Sequence, residues 1–147
     1  MAERGDVIKI EEADESRMDS VWPILQAAIA GSDVFAYPPA TTFEEAKKLW
    51  FGERYRVFTA SVAGRVLGTY HLQPNQIGLD SHVANVGYAV DPVQNGRGIA
   101  STMLEHSLGI ARAAGFRAMQ FNYVVSTNEK AVRLWKRHGF EMVRRVP

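Results

Sequence analysis

Cysteine is absent from this chain of 147 residues, and so is any long apolar run. Without cysteine the protein can form no disulfide, thiolate nucleophile or cysteine-based metal site. The four histidines are scattered with no pair at a ligand spacing, so we expect no metal. No apolar run approaches the ~20 residues of a membrane span, and the N-terminus does not have the pattern of a signal peptide. We therefore expect a cytoplasmic protein with no membrane partner.

A strong excess of one charge is also absent, because the formal net charge is only +1. The acids nevertheless concentrate in residues 1–53, and most of the lysines and arginines lie in residues 54–147. Two interpretations stay open: solvated surface charge, or a positive C-terminal field that attracts an anionic ligand. The low net charge, with aromatics not interleaved among basic residues, argues against nucleic acid as a partner.

The periodicity of apolar residues predicts a mixed α/β sheet of about six strands with four helices, in the order β-α-α-β-β-β-α-β-α-β. We expect a single domain over residues 1–147, since no linker or repeat divides the chain. The predicted strands are 7–12, 57–63, 66–73, 83–90, 118–125 and 140–146. The predicted helices run from an N-cap at Ser16 to Gly31, over 43–51, from Ile99 to a cap at Gly115, and over 128–138.

The stretch that follows the fourth predicted strand contains two glycines before an apolar-periodic helix. Pro92 ends the strand, Gly96 and Gly98 follow, and the helix begins near Ile99. Glycine allows the backbone to approach a ligand closely, and the free N–H groups of a first helical turn attract anions. The sequence therefore predicts a binding site for a phosphate-bearing ligand.

Three motifs compete for this turn. The P-loop requires a lysine that is not present. The dinucleotide fingerprint requires a third glycine where this chain has Ser101, and an acidic residue that residues 117–124 do not supply. The segment from Asn95 to Ala100 instead resembles Arg/Gln-x-x-Gly-x-Gly/Ala, the acetyl-coenzyme A (acetyl-CoA) loop of GNAT-type N-acetyltransferases, with Asn95 in the place of Arg or Gln.

A second segment, residues 126–140, is similar to the other signature of that superfamily, Asn-x-x-Ala-x-x-Leu-Tyr-x-x-x-Gly-Phe. The matching positions are Asn128, Ala131, Leu134, Gly139 and Phe140. With two motifs in the right order, the chain is identified as a GNAT-like protein, which implies central parallel strands that splay to hold the cofactor. Residues 82–85 and 120–123 also look like a subgroup that acetylates amino acids or proline analogues.

The resemblance implies acetyl-CoA as co-substrate, and no metal. It places the pantetheine arm on the backbone of the fourth strand and the pyrophosphate on the main-chain N–H groups of the glycine loop. Asn128 is expected to bind the arm or to cap a helix, Arg97 to meet a phosphate or only solvent, and Trp135 to pack on the arm or in the core. The implied cofactor-binding residues are Tyr88, Ala89, Val90, Gly96, Arg97, Gly98, Ile99, Ala100, Ser101, Asn128 and Trp135.

The catalytic groups that many relatives use are missing. Trp135 stands where relatives carry a tyrosine as general acid, and an indole N–H donates hydrogen bonds but is far too weak an acid to give up its proton. The backbone N–H of Tyr88 is the candidate donor to the developing oxyanion. His71 and His82 lie close to the cleft in sequence, and for either a structural role or a role as base stays open. The general acid and base are left unassigned.

Amides occupy the strand positions where relatives place an acid. Asn85 and Asn122 lie inside apolar strands, and a buried amide without hydrogen bonds costs about 1–3 kcal/mol. They either form a network within the sheet or bind the carboxylate or amine of a substrate. Tyr37 lies on a proline-stiffened loop and either packs locally or forms a wall of the cleft. These residues favour an N-acetyltransferase for a small-molecule amine such as an amino acid.

Two other functions stay open: a non-catalytic acyl-CoA-binding module, and a protein N-terminal acetyltransferase. The resemblance also implies a seventh strand, but the sequence stops at Pro147, directly after the sixth. Either the chain is cut short, or a homodimer partner covers the sixth-strand edge, since unpaired edges tend to be covered.

Overall fold

The computed structural model describes residues 7–31, 38, 40–74, 83–91, 98–116 and 118–121. The strands are β1 (Lys9–Ala13), β2 (Arg56–Val62), β3 (Arg65–Pro74), β4 (Val83–Val90) and β5 (Ala118–Phe121). The helices are α1 (Met18–Gly31), which follows a 3₁₀ turn over Glu15–Arg17, α2 (Phe43–Trp50) and α3 (Ile99–Ala113). The predicted helix over 128–138 and the strand over 140–146 lie outside the described residues.

The described strands form one mixed sheet in the order β1-β2-β3-β4-β5. Strands β1 to β4 pair antiparallel, and β5 pairs parallel to β4 from Val83–Ala118 to Val86–Phe121. The helix α3 makes the crossover between the parallel strands, as predicted. The predicted splaying at Tyr88 to Val90 concerns positions past the last described β4–β5 pair, so it stays a prediction.

The sheet separates two hydrophobic cores, because successive residues of a strand point to opposite faces. Helix α3 covers one face, and α1 and α2 cover the other. The core beneath α3 includes Phe58, Tyr70, Leu72, Val86, Ile99 and Met103. The core beneath α1 and α2 includes Val21, Leu25, Ala46, Trp50, Val57 and Ala89. None of the helices in the described part of the chain has the length and apolar character needed to cross a membrane.

Side-chain caps at the first two helices show where local sequence signals succeed and fail. At α2 a capping box forms at Thr42, whose hydroxyl accepts from Glu45 N at 3.2 Å while the Glu45 carboxylate accepts from Thr42 N at 2.9 Å. The predicted N-cap at Ser16 is wrong. Ser16 lies inside the 3₁₀ turn that precedes α1, and Asp14 is the N-cap of that turn, where its carboxylate accepts from Ser16 N at 3.0 Å.

Candidate functional site

The N-terminus of α3 lies directly after the loop that the sequence assigns to phosphate. Gly98 is the N-cap, with φ of 81°, a left-handed conformation that glycine adopts without strain. The first helical bond runs from Thr102 N to Gly98 O, so the N–H groups of the preceding residues are not used within the helix. The first turn carries no acidic residue. These features fit an anion such as a pyrophosphate. The predicted contacts Gly96 and Arg97 lie outside the described residues.

A glycine in the neighbouring strand sets the position of this helix end. A Cβ built on Gly68 of β3 would lie 2.8 Å from Ile99 Cγ2 and 3.0 Å from Met103 Cε. The first turns of α3 therefore rest directly on the backbone of β3. Sequence reasoning missed Gly68, although a glycine inside a strand pattern is a known signal of close backbone approach.

The backbone of β4 directs the N–H group of Tyr88 away from β3. Asp91 N donates to Leu67 O at 2.8 Å, and hydrogen-bonded residues alternate along an antiparallel pair. Ala89 and Gly87 therefore bond to β3, while Tyr88 and Val90 present their N–H and carbonyl groups on the β5 side. At Tyr88 this is two residues past the last described β4–β5 pair. The two predicted backbone contacts at Tyr88 and Val90 thus face the expected opening, whereas Ala89 bonds into the sheet.

The side chain of Tyr88 ties β4 to α3. Its hydroxyl lies 2.5 Å from Ser107 Oγ, which in turn donates to Leu104 O at 2.8 Å. Because the single serine proton is used on Leu104, the Tyr88 hydroxyl donates to Ser107. Burial raises the pKa of the Tyr88 hydroxyl, so this group stays protonated at neutral pH. Tyr88 can therefore serve the site through its backbone N–H, while its side chain anchors the helix.

The side chain of Asn85 lies on the face of the sheet opposite α3, and its carboxamide oxygen is unsatisfied among the described residues. Its side chain is 8% exposed, and within the described part of the chain its Oδ1 has no hydrogen-bond partner. In register it lies between Gln73 of β3 and Gln120 of β5. An unpaired buried oxygen costs about 1–3 kcal/mol, which a ligand donor could recover. Of the two predicted amides only Asn85 can be placed, because Asn122 lies outside the described residues.

His71 lies on the same face, between two aromatic rings. Its imidazole stacks on Trp50 at 3.7 Å and on Tyr55 at 3.8 Å between ring centroids. Its Nδ1 lies 2.9 Å from the carbonyl oxygen of Trp50, so Nδ1 carries the proton and donates. Burial lowers the pKa of His71 to about 4, while the bond to the Trp50 carbonyl acts in the other direction. His71 is therefore neutral at pH 7, and its lone pair is on Nε2.

A network of buried contacts fixes this imidazole. Trp50 Nε1 donates to Thr69 Oγ1 at 3.2 Å, and Thr69 Oγ1 donates to Phe58 O at 2.8 Å. A Cβ on Gly87, the register partner of His71, would lie 3.0 Å from Nε2. The ring thus extends over β4 only because residue 87 is glycine. The sequence indicated His71 as a candidate but did not predict its stacking between Trp50 and Tyr55, because that arrangement depends on residues far apart in the chain.

The other predicted site residues divide into placed and unplaced groups. Ile99, Ala100 and Ser101 form the first turn of α3, as predicted. Tyr37, His82, Asn128 and Trp135 lie outside the described residues, so their predicted roles stay predictions. No cluster of potential metal ligands occurs among the residues that the structure describes.

Comparison with known proteins matches this chain to one family. The model of the acetyltransferase (GNAT) family matches residues 21–140, a range that contains both sequence motifs. The N-acetyltransferase aca1 of Schizosaccharomyces pombe is 37% identical over 84 residues, which make up 56% of this chain and only 40% of that protein.

Solved structures share the fold over nearly the whole chain. A GCN5-related N-acetyltransferase from Kribbella flavida is 33% identical with a TM-score of 0.88, covering 95% of this chain and 86% of its own. The Salmonella typhimurium acetyltransferase yncA, solved with its cofactor acetyl-CoA, is 19% identical with a TM-score of 0.82, covering 95% and 83%. At that lower identity the likeness shows the fold alone.

Proposed function

Because the chain belongs to the acetyltransferase (GNAT) family, we propose that it transfers the acetyl group of acetyl-CoA to the amine of a small molecule. The observation that carries the proposal is the arrangement of β4 and α3. A left-handed glycine opens the helix, three first-turn N–H groups are available, and the Tyr88 N–H is directed to the same side of β4 as β5. The acetyl-CoA in the yncA structure supports this choice of cofactor.

Acetyl-CoA supplies the acetyl group as a thioester, and the residues of this chain hold and orient it. The N–H groups of Ile99, Ala100 and Ser101 bind the pyrophosphate, together with Gly96 and Arg97. The polar backbone groups of Tyr88 and Val90 hold the pantetheine arm, with Asn128 and Trp135 beside it.

The Tyr88 N–H donates to the thioester oxygen as negative charge develops there. A preorganised backbone donor at such a position is worth about 3–4 kcal/mol in comparable enzymes. Positioning of the two reactants supplies a further share of the rate.

The acceptor site lies on the face that α1 and α2 cover, where Asn85 Oδ1 offers a hydrogen-bond acceptor. An uncharged amide suits a small polar amine, such as an amino acid or an analogue, better than a strongly cationic one. Asn122 and Tyr37 complete this proposed site. The homodimer through the predicted sixth strand also stays a proposal.

Gly98→Asp tests the phosphate site. The aspartate places a negative charge where the phosphate must approach, so acetyl-CoA binding measured by calorimetry should be lost while the circular dichroism spectrum stays that of wild type. Gly64→Asp is the matched control, because Gly64 also has a positive φ, of 82°, and lies in the β2–β3 turn. Unchanged affinity in a folded Gly98→Asp protein would refute the phosphate assignment.

Asn85→Ala tests the acceptor site. It should leave acetyl-CoA affinity unchanged and reduce kcat/KM for the acceptor by about 10- to 150-fold, the effect of losing a hydrogen bond to a charged group. The assay is release of free thiol from acetyl-CoA in the presence of amino acids, small amines or peptides. Turnover with peptides alone would indicate an N-terminal acetyltransferase instead. Acetyl-CoA binding without turnover on any acceptor would indicate a binding module.

A further inference from the structure

Two hydrogen-bond acceptors occupy neighbouring positions on the face of the sheet opposite α3. Asn85 and Gly87 are two residues apart on β4 and point to the same face. His71 pairs with Gly87, so its side chain is the diagonal neighbour of Asn85, at the ~7–8 Å spacing that long side chains can bridge. The imidazole extends toward β4, with Nε2 close to where a Cβ of Gly87 would be. The two side chains that carry the acceptor atoms therefore occupy neighbouring positions on the same face of the sheet.

Asn85 Oδ1 and His71 Nε2 are both uncharged, and neither atom carries a proton. Asn85 Oδ1 is a carbonyl oxygen that is nine-tenths buried and unpaired within the described residues. His71 Nε2 holds a lone pair, because the proton on Nδ1 is fixed by the Trp50 carbonyl. Two such acceptor atoms fit a group that offers two N–H hydrogens.

The segment beneath them is next to the proposed reaction centre. Gly87 immediately precedes Tyr88, and the N–H of Tyr88 belongs to the peptide that joins these two residues. The Tyr88 side chain packs against α3, on the other face. An amine held between the His71 and Asn85 side chains would thus approach from the face that the α3 core does not occupy.

We infer that His71 Nε2 and Asn85 Oδ1 accept hydrogen bonds from the two N–H hydrogens of the substrate amine, and that this pair makes the protein selective for primary over secondary amines. The inference rests on the proposed function, since it assigns the amine of the same reaction to a subsite. In the neutral form that attacks the thioester, a secondary amine has one N–H hydrogen and a primary amine has two, so the secondary amine leaves one of the two acceptor atoms unpaired. Such an unpaired acceptor lowers binding by about 5- to 150-fold.

The test compares acetylation of one primary amine with acetylation of its N-methyl derivative, in the wild-type protein and in His71→Phe. The phenyl ring keeps the stack between Trp50 and Tyr55 but has no acceptor atom. In the wild type, kcat/KM should favour the primary amine by about 5- to 150-fold. In His71→Phe the preference should fall to within about 3-fold, through loss of rate on the primary amine. The acetyl-CoA dissociation constant should stay at the wild-type value in both proteins.

Thr69→Val is the control for stability. It removes the hydroxyl that binds Trp50 and Phe58, beside the same aromatic stack, but leaves His71 intact. It should lower the melting temperature and keep the preference for the primary amine. A folded His71→Phe protein that keeps the full preference overturns the inference and leaves the proposed function standing. A wild-type protein that acetylates no small amine overturns both.

Discussion

Gly68→Ala should weaken acetyl-CoA binding although Gly68 is not itself among the residues proposed to contact the cofactor. The new methyl would lie 2.8 Å from Ile99 Cγ2, whereas carbon atoms pack best at about 3.5–4.0 Å. Relief requires a shift of about 1 Å. Met103 is flexible and can move its terminal methyl, but the β-branched Ile99 is stiff at χ1. The first turn of α3 must therefore move away from β3, and the N–H groups that we propose bind the phosphate move with it.

The size of the effect follows from two contributions. Overpacking of this kind costs about 1–3 kcal/mol of folding free energy. If the shift breaks one hydrogen bond to a charged phosphate, worth about 1.5–3 kcal/mol, the dissociation constant for acetyl-CoA rises about 10- to 150-fold. Urea unfolding measures the first quantity and calorimetry with acetyl-CoA measures the second.

Gly109→Ala is the matched control, because Gly109 lies on the same helix and a Cβ there meets no atom within 4 Å. This substitution should stabilise the protein by up to about 1 kcal/mol through helix propensity, with unchanged affinity. The close contact at Gly68 would have no role in cofactor binding if Gly68→Ala unfolded at the wild-type urea concentration and bound acetyl-CoA with wild-type affinity.

Two further predictions concern His71 and Trp135. Burial depresses the folded-state pKa of His71 to about 4, so only the unfolded chain gains a proton as the pH falls from about 6.5 to 4. The free energy of unfolding therefore carries the full contribution of this group above pH 6.5 and loses it on acidification. The loss is about 3 kcal/mol. In urea titrations across this pH range, the free energy of unfolding of His71→Phe should depend less on pH than that of the wild type. Parallel curves would contradict the assignment of a buried neutral imidazole. Trp135→Phe should change kcat by much less than ~100-fold, the scale of a general acid, and a larger loss in a steady-state assay would show that the indole N–H takes part.

Much of the fold could be predicted because local patterns and the final structure agree. Strand β4 has the predicted bounds, Val83–Val90, since its apolar run is flanked by turn residues. Helix α3 begins at the predicted Ile99, because two glycines precede an apolar-periodic segment. The capping box at Thr42 also needs only residues three apart. The resemblance to the family motifs then identified the expected cofactor as acetyl-CoA, which the local pattern of strand, glycines and helix does not specify.

The remaining features depend on contacts between distant residues. The sandwich around His71 brings together side chains from α2, the segment before β2, and β3. Asn85 Oδ1 has no partner among the described residues, and this depends on which side chains of distant elements lie near it. The need for glycine at positions 68 and 87 depends on a helix and on an imidazole from elsewhere in the sequence. Even the capping residue before the first helix differed, because Asp14 and Ser16 are equally good N-cap residues and the 3₁₀ turn that Asp14 caps contains Ser16.

The sheet topology has a consequence for the order in which the protein folds. Strands β2 and β3 join through a tight turn, and β3 and β4 are neighbours in the chain, so these pairings need little loop closure. The parallel pairing of β4 with β5 must wait for the whole of α3 to form and pack, and such non-local contacts form slowly. The antiparallel meander of β2, β3 and β4 is therefore expected to assemble first on the folding pathway. The edge of β4 at which Tyr88 offers its N–H acquires its parallel neighbour only after that meander has formed.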